Sequence, residues 1–494
     1  MNDLRLQISE NLAKLGKQHA DLKIQDLPLE QKSIDEVIST PYLNFDFSKQ
    51  RIDKQAFDWL LSIPDQLNLR DHFSMLLDGD FDNPSEKRKV SHTLYRSSEQ
   101  KRGYEQIFSE RIKISNFFET VQSKENIKNL ICIGIGGSRL GPELLNQFQA
   151  RKESLNIFFC SSYDLLELKD ALERCDQNET IFLVSSKSFT TSEILKNLDF
   201  VKEWFNDRDG IDYFDQLFGV SSDAEAMNDL GIKKENQFIV LESLGGRYSL
   251  WSSISLPAFI NSDYKAYQSF LEGAHYADKH VMESEWKDNI SMIMALLSVW
   301  NTSALGINNH GIFTYNYRMR SFTSYIAQLS MESNGKSINS DSVPSPFSTS
   351  PLIWGGYGID CQHSTFQWMM QGKIHTSCDF IGLNNTNEQL KDSYHMLLSQ
   401  VLAMTLGENN KKEPHKSVRG NNPCSVIQLL SLDLKTLGFL IAIYEHKVFF
   451  EGLILGLNSF DQWGVQLGKK LASSSKENSD FLSKYFSSEL LPKS

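Results

Sequence analysis

Apolar strand patterns alternate with helical patterns through most of this chain, and this alternation limits the folds that are open to it. The first set of apolar runs lies at residues 130–135, 157–160, 181–184 and 238–241, with helical patterns from 144 onward and at 165–172 and 194–205. The second set follows an apolar helical stretch at 290–305 and lies at residues 312–315, 352–354, 380–383 and 426–430. Because strands joined by helices form parallel sheets covered on both faces, the sequence predicts an α/β fold with two doubly wound sheets.

The length of 494 residues exceeds what one hydrophobic core usually covers. We therefore predict two α/β domains, at residues 101–265 and 266–472. The first hundred residues are polar and follow helical patterns, and we assign residues 1–100 to a helical segment that packs on the second domain. The Ser- and Lys-rich stretch 473–494 is expected to form a C-terminal arm.

The composition indicates a globular protein without general affinity for nucleic acid. The chain is 40% hydrophobic with a net charge of -12, whereas binding to a phosphate backbone needs clustered Lys and Arg. The six cysteines lie apart, without C-x-x-C pairs or a His spacing suited to zinc, which is typical of reduced thiols. The N-terminus lacks the apolar core of a signal peptide, and the apolar stretch 437–457 is interrupted by Glu445, His446 and Lys447. We therefore expect a cytoplasmic protein with no membrane span.

Two turns between a strand and a helix have the composition of phosphate cradles. Residues 133–138 read I-G-I-G-G-S, and residues 185–191 read S-S-K-S-F-T-T. Glycines let the backbone approach an anion, hydroxyls donate to its oxygens, and a helix N-terminus adds positive partial charge. Neither turn is a nucleotide loop, because G-x-x-x-x-G-K-[ST] is missing and Arg139 stands where a third dinucleotide-loop glycine would stand. Ordinary turns with capping Ser and Thr are the alternative, but the pair favours a phosphorylated small molecule.

An arginine and a carboxylate are candidates for chemistry on such a ligand. Arg247 follows a glycine pair at a predicted strand end, where it would stabilise negative charge on a substrate oxygen or, alternatively, bind backbone carbonyls. Glu332 closes a helical pattern beside a Gly turn, and Gln328 lies one turn before it on the same face. A carboxylate at a helix C-terminus is more easily protonated, which suits a proton shuttle, although a solvated surface Glu is the alternative.

Two further segments carry groups suited to proton transfer and hydroxyl binding. The run 352–354 leads through a Gly-rich turn into a helix expected to start near His363. A histidine at that position would exchange protons with a sugar hydroxyl, or would cap or pack the helix. Gln462 and Lys469 are seven residues apart, which places both on one face of a helix.

These segments together resemble the glucose-6-phosphate isomerase family, also called the phosphoglucose isomerase family. The resemblance runs from Gln50 to Lys470, and the family's two signature regions correspond to residues 242–254 and 452–469. It implies two sugar-isomerase (SIS-type) domains, each a parallel sheet flanked by helices, with helical N-terminal and C-terminal extensions. It also implies a homodimer with its sites where the subunits meet. The implied reaction is interconversion of glucose 6-phosphate and fructose 6-phosphate, with no metal and no organic cofactor.

The resemblance assigns a role to each candidate residue. Glu332 would be the base that carries a proton between C2 and C1 through a cis-enediol, and Arg247 would stabilise the enediolate. His363 of the other subunit would assist ring opening together with Lys469. Sugar hydroxyls would be held by Gln328 and Gln462. The phosphate would be bound by Gly137, Ser138, Ser186, Ser188 and Thr191 and by the backbone at Lys187.

Glu193 has two roles open to it. Thr190-x-x-Glu193 is a capping box, in which the carboxylate reaches back to the start of the helix. The family pattern instead makes this carboxylate the group that orients the catalytic histidine. We favour the second role.

Four positions depart from the commoner family pattern. Arg139 stands where Asp is usual, Ser188 replaces Thr, Gln466 replaces the Glu of G-V-E, and Asn422 replaces the Arg of G-N-R-P. We expect Ser188 to keep its hydroxyl function. Arg139 is expected to add positive charge near the phosphate cradle, and Gln466 to remove negative charge near Lys469.

Two other functions fit parts of the pattern. A related aldose-ketose isomerase that also accepts mannose 6-phosphate would tolerate the opposite configuration at C2, and a substrate comparison decides between the two. A catalytically silent sugar-phosphate sensor would need the phosphate cradle alone. The joint presence of the four catalytic candidates disfavours the sensor.

Overall fold

The computed structural model describes residues 2–27, 36–124, 126–149, 155–189, 191–206, 213–384, 388–477, 480–487 and 490. Two largely parallel sheets flanked by helices confirm the predicted α/β class. The strands are β1 (Val37–Ser39), β2 (Leu43–Lys49), β3 (Asp82–Asn83), β4 (Arg88–Lys89), β5 (Asn129–Gly134), β6 (Asn156–Cys160), β7 (Thr180–Ser185), β8 (Leu217–Ser221), β9 (Gln237–Ile239), β10 (Asn309–Thr314), β11 (Leu352–Tyr357), β12 (Ser377–Leu383) and β13 (Cys424–Leu429).

Helices of very different length connect these strands. The α-helices are α1 (Asn2–Gln18), α2 (Lys54–Leu60), α3 (Ile63–Gln66), α4 (Leu69–Asp78), α5 (Glu105–Ser123), α6 (Gly137–Phe148), α7 (Leu166–Leu172), α8 (Ser192–Asn206), α9 (Tyr213–Gln216), α10 (Ala224–Asp229), α11 (Leu256–Phe259), α12 (Tyr264–Glu283), α13 (Ile290–Val299), α14 (Phe322–Asn334), α15 (Gly358–Gln362), α16 (Phe366–Gln371), α17 (Glu388–Leu406), α18 (Leu434–Leu455), α19 (Gln466–Glu477) and α20 (Asp480–Ser483). Short 3₁₀ turns join several of them, and the turn Gly246–Trp251 carries Arg247.

The first sheet has five strands in the order β6-β5-β7-β8-β9, and each neighbouring pair is parallel. β5 and β7 are buried along their whole length, which explains the continuous apolar runs in the sequence. The sequence analysis missed β8, because Gly219 interrupts its apolar pattern. That glycine lets β8 pack closely, since a Cβ there would lie 2.7 Å from Ile232 Cδ1.

The second sheet has six strands in the order β1-β2-β13-β12-β10-β11. Strands β10 to β13 are parallel, and β2 adds antiparallel to β13 with Leu43 opposite Leu429. The prediction of a helical segment at 1–100 is therefore wrong in part, since β1 and β2 belong to this sheet. The sequence of β2 alternates buried and partly exposed residues, the period of two that is typical of a strand with one covered face.

The apolar stretch 290–305 forms two elements rather than one helix. α13 ends at Val299, and a π-helical turn at Trp300–Ala304 follows. Helix α1 packs on this turn, and Gly16 permits the contact because a Cβ there would lie 1.9 Å from the carbonyl oxygen of Ala304. The turn therefore provides the surface on which the N-terminal helix docks.

Helix α18 lies at the centre of the larger core and is buried over nearly all of its 22 residues. It packs backbone to backbone against α12. A Cβ on Gly438 would lie 2.1 Å from the carbonyl oxygen of Phe270, and a Cβ on Gly273 would lie 1.9 Å from that of Lys435. The apolar stretch 437–457 is thus the core helix of a folded domain, with its charged residues buried inside protein.

A buried cation joins the N-terminal segment to α12 and α18. Arg96 is 2% exposed, and its guanidinium donates to both carboxylate oxygens of Asp278, at 2.9 and 2.7 Å, and to Glu445 Oε2 at 2.5 Å. Trp251 Nε1 donates to the same Glu445 carboxylate at 2.9 Å. Burial alone would raise the pKa of Asp278, but Arg96 and His446 oppose it and the net shift is downward. Asp278 is therefore held in its charged form.

We predict that Arg96→Leu lowers the free energy of unfolding by about 3–5 kcal/mol, because it leaves two buried carboxylates without their cation. Urea unfolding followed by circular dichroism measures the loss. Lys54→Ala is the control, since Lys54 forms an exposed ion pair with Asp58 one helical turn away, and its removal should change the same quantity by less than about 0.5 kcal/mol. A loss for Arg96→Leu no larger than that of the control would contradict this account.

Candidate active site

The two predicted phosphate cradles lie side by side. β5 and β7 are neighbours in the first sheet, and the last residues of the two strands, Gly134 and Ser185, are paired in register. The turns that follow therefore leave the same edge of the sheet. Helix α6 begins at Gly137 directly after the first turn, and α8 begins at Ser192 directly after the second. Two helix N-termini thus lie at this edge, and their positive partial charge favours a bound anion.

The second turn has a defined internal shape. The Ser186 hydroxyl is buried and accepts a hydrogen bond from the Phe189 N–H at 3.0 Å, while Phe189 adopts a positive φ of 49°. Hydroxyls of Ser221 and Ser222 donate to the carbonyl oxygen of Lys187 at 2.8 and 3.0 Å. Because the Lys187 carbonyl is held by β8, its peptide plane is fixed relative to the cradle.

The remaining cradle residues differ in exposure. Ser138 and Ser188 are half-buried, as is Thr191, and the Lys187 side chain is exposed. The capping-box alternative for Glu193 pairs it with Thr190, which lies outside the described residues. Glu193 itself is half-buried in the first turn of α8, and its carboxylate accepts a hydrogen bond from the Ser192 hydroxyl at 3.1 Å.

Close contacts at two glycines join the first cradle to the catalytic candidates. A Cβ on Gly137 would lie 2.1 Å from the carbonyl oxygen of Gly246 and 2.9 Å from the Arg247 nitrogen. A Cβ on Gly136, which has a φ of +60°, would lie 3.0 Å from Gln328 Nε2. The glycines predicted to approach an anion therefore also let the cradle touch the Arg247 turn and α14.

The Arg247 side chain is 4% exposed and held from several directions. Nε donates to Ser333 Oγ at 2.7 Å, and Nη2 donates to the carbonyl oxygens of Ser459 and Asp461 at 2.6 and 3.1 Å. Nη1 donates to Gln462 Oε1 at 2.9 Å. A guanidinium has five N–H groups, so these four hydrogen bonds leave one N–H on Nη1. The alternative in which Arg247 binds backbone carbonyls is therefore present in the structure, and one N–H of the guanidinium stays available.

Glu332 and Gln328 lie one turn apart on α14, as predicted. The Glu332 side chain is 24% exposed, and its Oε2 lies 3.8 Å from Arg247 Nη1. Gln328 Oε1 is buried and has no hydrogen-bond partner among the described residues. A ligand hydroxyl in this cleft would supply the missing donor for Gln328, next to a carboxylate that solvent can reach.

Gln462 and Lys469 do not share a helix, so the prediction from their spacing is wrong. Gln462 precedes a 3₁₀ turn at Trp463–Val465, and α19 starts only at Gln466. The loop before the turn is fixed because Lys336 pairs with Asp461 at 2.6 Å, which aims Gln462 at Arg247. Lys469 and Gln466 are exposed on α19.

The predicted helix start at His363 is also wrong. β11 continues through the glycines to Tyr357, because Gly355 has a φ of +121° and a Cβ there would lie 2.3 Å from the Ile312 carbonyl oxygen. The short helix α15 then ends at Gln362, and His363 follows it as an exposed residue. Within this one chain, His363 therefore faces solvent.

Arg139 does not add a free positive charge to the cradle, contrary to expectation. Its Nη1 lies 3.0 Å from both carboxylate oxygens of Glu167, and its Nε lies 3.2 Å from Glu143 Oε2. Two carboxylates therefore neutralise the guanidinium. Asn422, the substitute for the usual family Arg, is buried, and its Oδ1 accepts a hydrogen bond from the Thr376 N–H at 3.1 Å.

Sequence reasoning missed the residues that support Arg247 and Glu332. Ser333 receives the Arg247 Nε hydrogen bond and contacts the Tyr248 hydroxyl at 3.0 Å, and Lys336 binds Asp461. The available signal was the M-E-S-N-G-K motif, in which Ser333 and Lys336 stand beside Glu332. In the part of the chain that the structure describes, no three His, Cys, Asp or Glu side chains form a group able to hold a metal ion.

Taken together, the two sheets and the cleft define an α/β protein in which two helix N-termini meet at one sheet edge beside a carboxylate. The model of the family described as phosphoglucose isomerase matches residues 46–488, and the chain belongs to this family. That result confirms the resemblance found in the sequence. Among the helices of the described ranges, none has the length and apolar character to cross a membrane.

Curated relatives and a solved structure agree with the family. Glucose-6-phosphate isomerase of Pseudoalteromonas translucida is 35% identical over 473 residues, covering 88% of this chain and 86% of the relative. Glucose-6-phosphate isomerase 1 of Chromohalobacter salexigens is 35% identical over 462 residues, covering 89% and 84%. A crystal structure of a glucose-6-phosphate isomerase from Chlamydia trachomatis superposes with a TM-score of 0.86 at 28% identity, covering 97% of this chain and 96% of the other.

We predict that Gly137→Ala abolishes most activity, because the added methyl group meets the Gly246 carbonyl oxygen at 2.1 Å and must push the cradle away from the Arg247 turn. The measurement is turnover and KM in an isomerase assay, with the melting temperature as a check on folding. Gly246→Ala is the matched control from the other side of the same contact, since a Cβ there meets nothing within 4 Å. Equal activity in the two variants would show that the contact does not position the site.

Proposed function

We propose that this chain interconverts glucose 6-phosphate and fructose 6-phosphate in the cleft described above. The observation that carries the proposal is the 3.8 Å approach of Arg247 Nη1 to Glu332 Oε2, beside two turns that end at one sheet edge. Moving a proton next to a carbonyl needs a carboxylate base and an electrophile for the oxygen, and this pair provides both. The family and the names of its relatives support the same reaction.

Proton transfer is assigned to Glu332. Its carboxylate takes the proton from C2 of the open-chain aldose, which gives a cis-enediol, and returns it to C1 to form the ketose. Negative charge develops on the substrate oxygen during this transfer, and the remaining N–H of Arg247 is placed to receive it. Because four hydrogen bonds already hold the guanidinium, it needs little reorganisation when the charge appears.

Substrate binding is assigned to the cradle and to two amides. The phosphate would lie at the helix N-termini, bound by Ser138, Ser186, Ser188, Thr191 and the backbone at Gly137 and Lys187. Gln328 would accept from a sugar hydroxyl, because its Oε1 is buried without a partner among the described residues. Gln462 would bind a second hydroxyl through its amide nitrogen, since its oxygen already faces Arg247.

Ring opening is assigned to His363 and Lys469, and this assignment implies a second subunit. Both side chains are exposed in the single chain, while ring opening needs an acid and a base at the sugar ring. We infer a homodimer in which His363 of one subunit completes the site of the other, with Glu193 as its orienting carboxylate.

The division of the chain into domains is also proposed. The domain limits 101–265 and 266–472 and the arm 473–494 remain predictions, as does the packing of the segment 1–100 on the second domain. The cytoplasmic location also remains a prediction, supported by the scattered free thiols. A sugar phosphate is the proposed small-molecule partner, and the charge of -12 argues against nucleic acid.

We predict that Glu332→Gln lowers kcat by about 10²–10⁴-fold with little change in KM, because the amide keeps the shape of the side chain but accepts no proton. A coupled assay from fructose 6-phosphate, with a dehydrogenase that detects glucose 6-phosphate, measures both constants. Glu285→Gln removes one negative charge at an exposed position and controls for net charge. Turnover of Glu332→Gln near the wild-type value would disprove the base assignment.

We predict that two inactive variants restore activity when their subunits mix. Glu332→Gln and His363→Ala each damage every site of their own homodimer, but a mixed dimer has one site with both changes and one with neither. Unfolding and refolding the two proteins together should therefore recover roughly a quarter of wild-type activity, since half of the dimers are mixed and each has one intact site. Refolding each variant alone is the control. No recovery, with dimers present by light scattering, would place His363 in its own subunit's site.

A further inference from the structure

Two arginines and a histidine lie near Asn422 at the amino ends of β12 and β13. Arg419 Nη2 lies 3.5 Å from Asn422 Oδ1, and His375 Nδ1 lies 3.2 Å from the same oxygen. Arg51 stands two residues beyond the end of β2, the strand that pairs with β13, and it lies close enough to His375 to lower the pKa of that imidazole. Three segments far apart in sequence therefore meet near Asn422.

Donors in this cluster lack partners. Among the described residues, Arg51 Nε, Arg419 Nε and Thr376 Oγ1 are buried from solvent and form no hydrogen bond. Arg51 is only 6% exposed and Thr376 is fully buried, whereas Arg419 and His375 are half-buried and open the cluster to solvent. Buried polar groups are normally paired, so three unpaired donors in one place indicate a missing acceptor.

The cluster also lacks a counter-charge. Within the described ranges, no carboxylate forms an ion pair with Arg51, His375 or Arg419. Burial lowers the pKa of His375, and the nearby Arg419 and Arg51 lower it further against the hydrogen bond to Asn422. The positive groups are thus close enough to repel one another, and a buried guanidinium without an anion is unfavourable.

We propose that Arg51, His375 and Arg419, with the Thr376 hydroxyl, bind a small tetrahedral oxyanion: inorganic phosphate or the phosphoryl group of a phosphomonoester. Guanidinium groups match phosphate oxygens in a two-pronged geometry, and the hydroxyl supplies a further donor. The anion satisfies the unpaired donors and supplies the missing charge.

This site is separate from the catalytic cleft. Met331, next to Glu332, contacts Ile353 at the start of β11 through a 3.4 Å approach of its sulfur to the backbone nitrogen. Strands β12 and β10 lie between β13 and β11. Three strand spacings of roughly 4.8 Å give a distance of about 14 Å between β13 and β11. None of the residues that bind this second anion has a role in the isomerase proposal.

Calorimetric titration of the full chain with inorganic phosphate tests the proposal. The wild type should show two classes of site per chain, and Ser186→Ala should weaken the catalytic class alone. The double variant Arg419→Gln with His375→Gln should weaken the second class by about tenfold or more, since it removes two charge-assisted contacts, with kcat/KM unchanged. Lys373→Gln, which removes an exposed charge nearby, should leave both classes intact.

Each outcome of this titration decides one of the two proposals. The proposed site is overturned if the second class of phosphate site persists in the double variant or does not occur in the wild type. This conclusion does not depend on the result at the catalytic cradle. Binding only at tens of millimolar phosphate would show an adventitious ion only, and would also overturn it. A failure of Ser186→Ala to alter either class would count against the catalytic cradle instead. Repeating the titration with glycerol 3-phosphate distinguishes a phosphomonoester from free phosphate, and tighter binding of either supports the site.

Discussion

The buried guanidinium of Arg96 is the interaction on which the arrangement of this chain depends. It meets Asp278 of α12 and Glu445 of α18 in an environment with almost no solvent. Glu445 in turn accepts from Trp251, the last residue of the 3₁₀ turn that carries Arg247. A single cation therefore connects the N-terminal segment, the central helix of the core and the turn that carries Arg247. Charges buried in this way are favourable only while all partners are present, so these segments are expected to fold together.

Close approaches at two glycines help to assemble the cleft. Gly137 touches the Gly246 carbonyl oxygen so closely that no other residue fits, and Gly136 lies under Gln328. The proposed phosphate-binding edge of one sheet is thereby placed against the Arg247 turn and against α14. Residues that follow different strands are thus held in position for the proposed reaction, because short contacts leave little freedom in their relative position.

Local patterns in the sequence predicted most strands of the two parallel sheets, because an apolar run depends only on neighbours along the chain. Apolar runs marked β5 and β7, and the glycine-rich turn after β5 marked the boundary between a strand and a helix. The failures came where distant residues decide the outcome. The spacing of Gln462 and Lys469 suggested one helix. The pairing of Lys336 with Asp461 instead fixes the preceding loop, and Gln462 lies at the start of a 3₁₀ turn. Arg139 was expected to add positive charge near the cradle, but Glu167, which no local pattern connects to it, pairs with its guanidinium. β2 was overlooked although its alternation was visible, since the polar surroundings favoured helix.

In the proposed reaction, the exposure of Glu332 affects what happens to the hydrogen that this carboxylate would transfer. About a quarter of this side chain is open to solvent, while the Arg247 beside it is almost completely buried. A carboxylic acid in contact with water exchanges its proton rapidly, whereas the carbon-bound hydrogens of substrate and product do not exchange. During the lifetime of the enediol, the hydrogen taken from C2 therefore competes with hydrogens of the solvent for return to C1. A deuterium label at C2 of the sugar would reach the product only in part, and the fraction lost to water would report how long the intermediate survives.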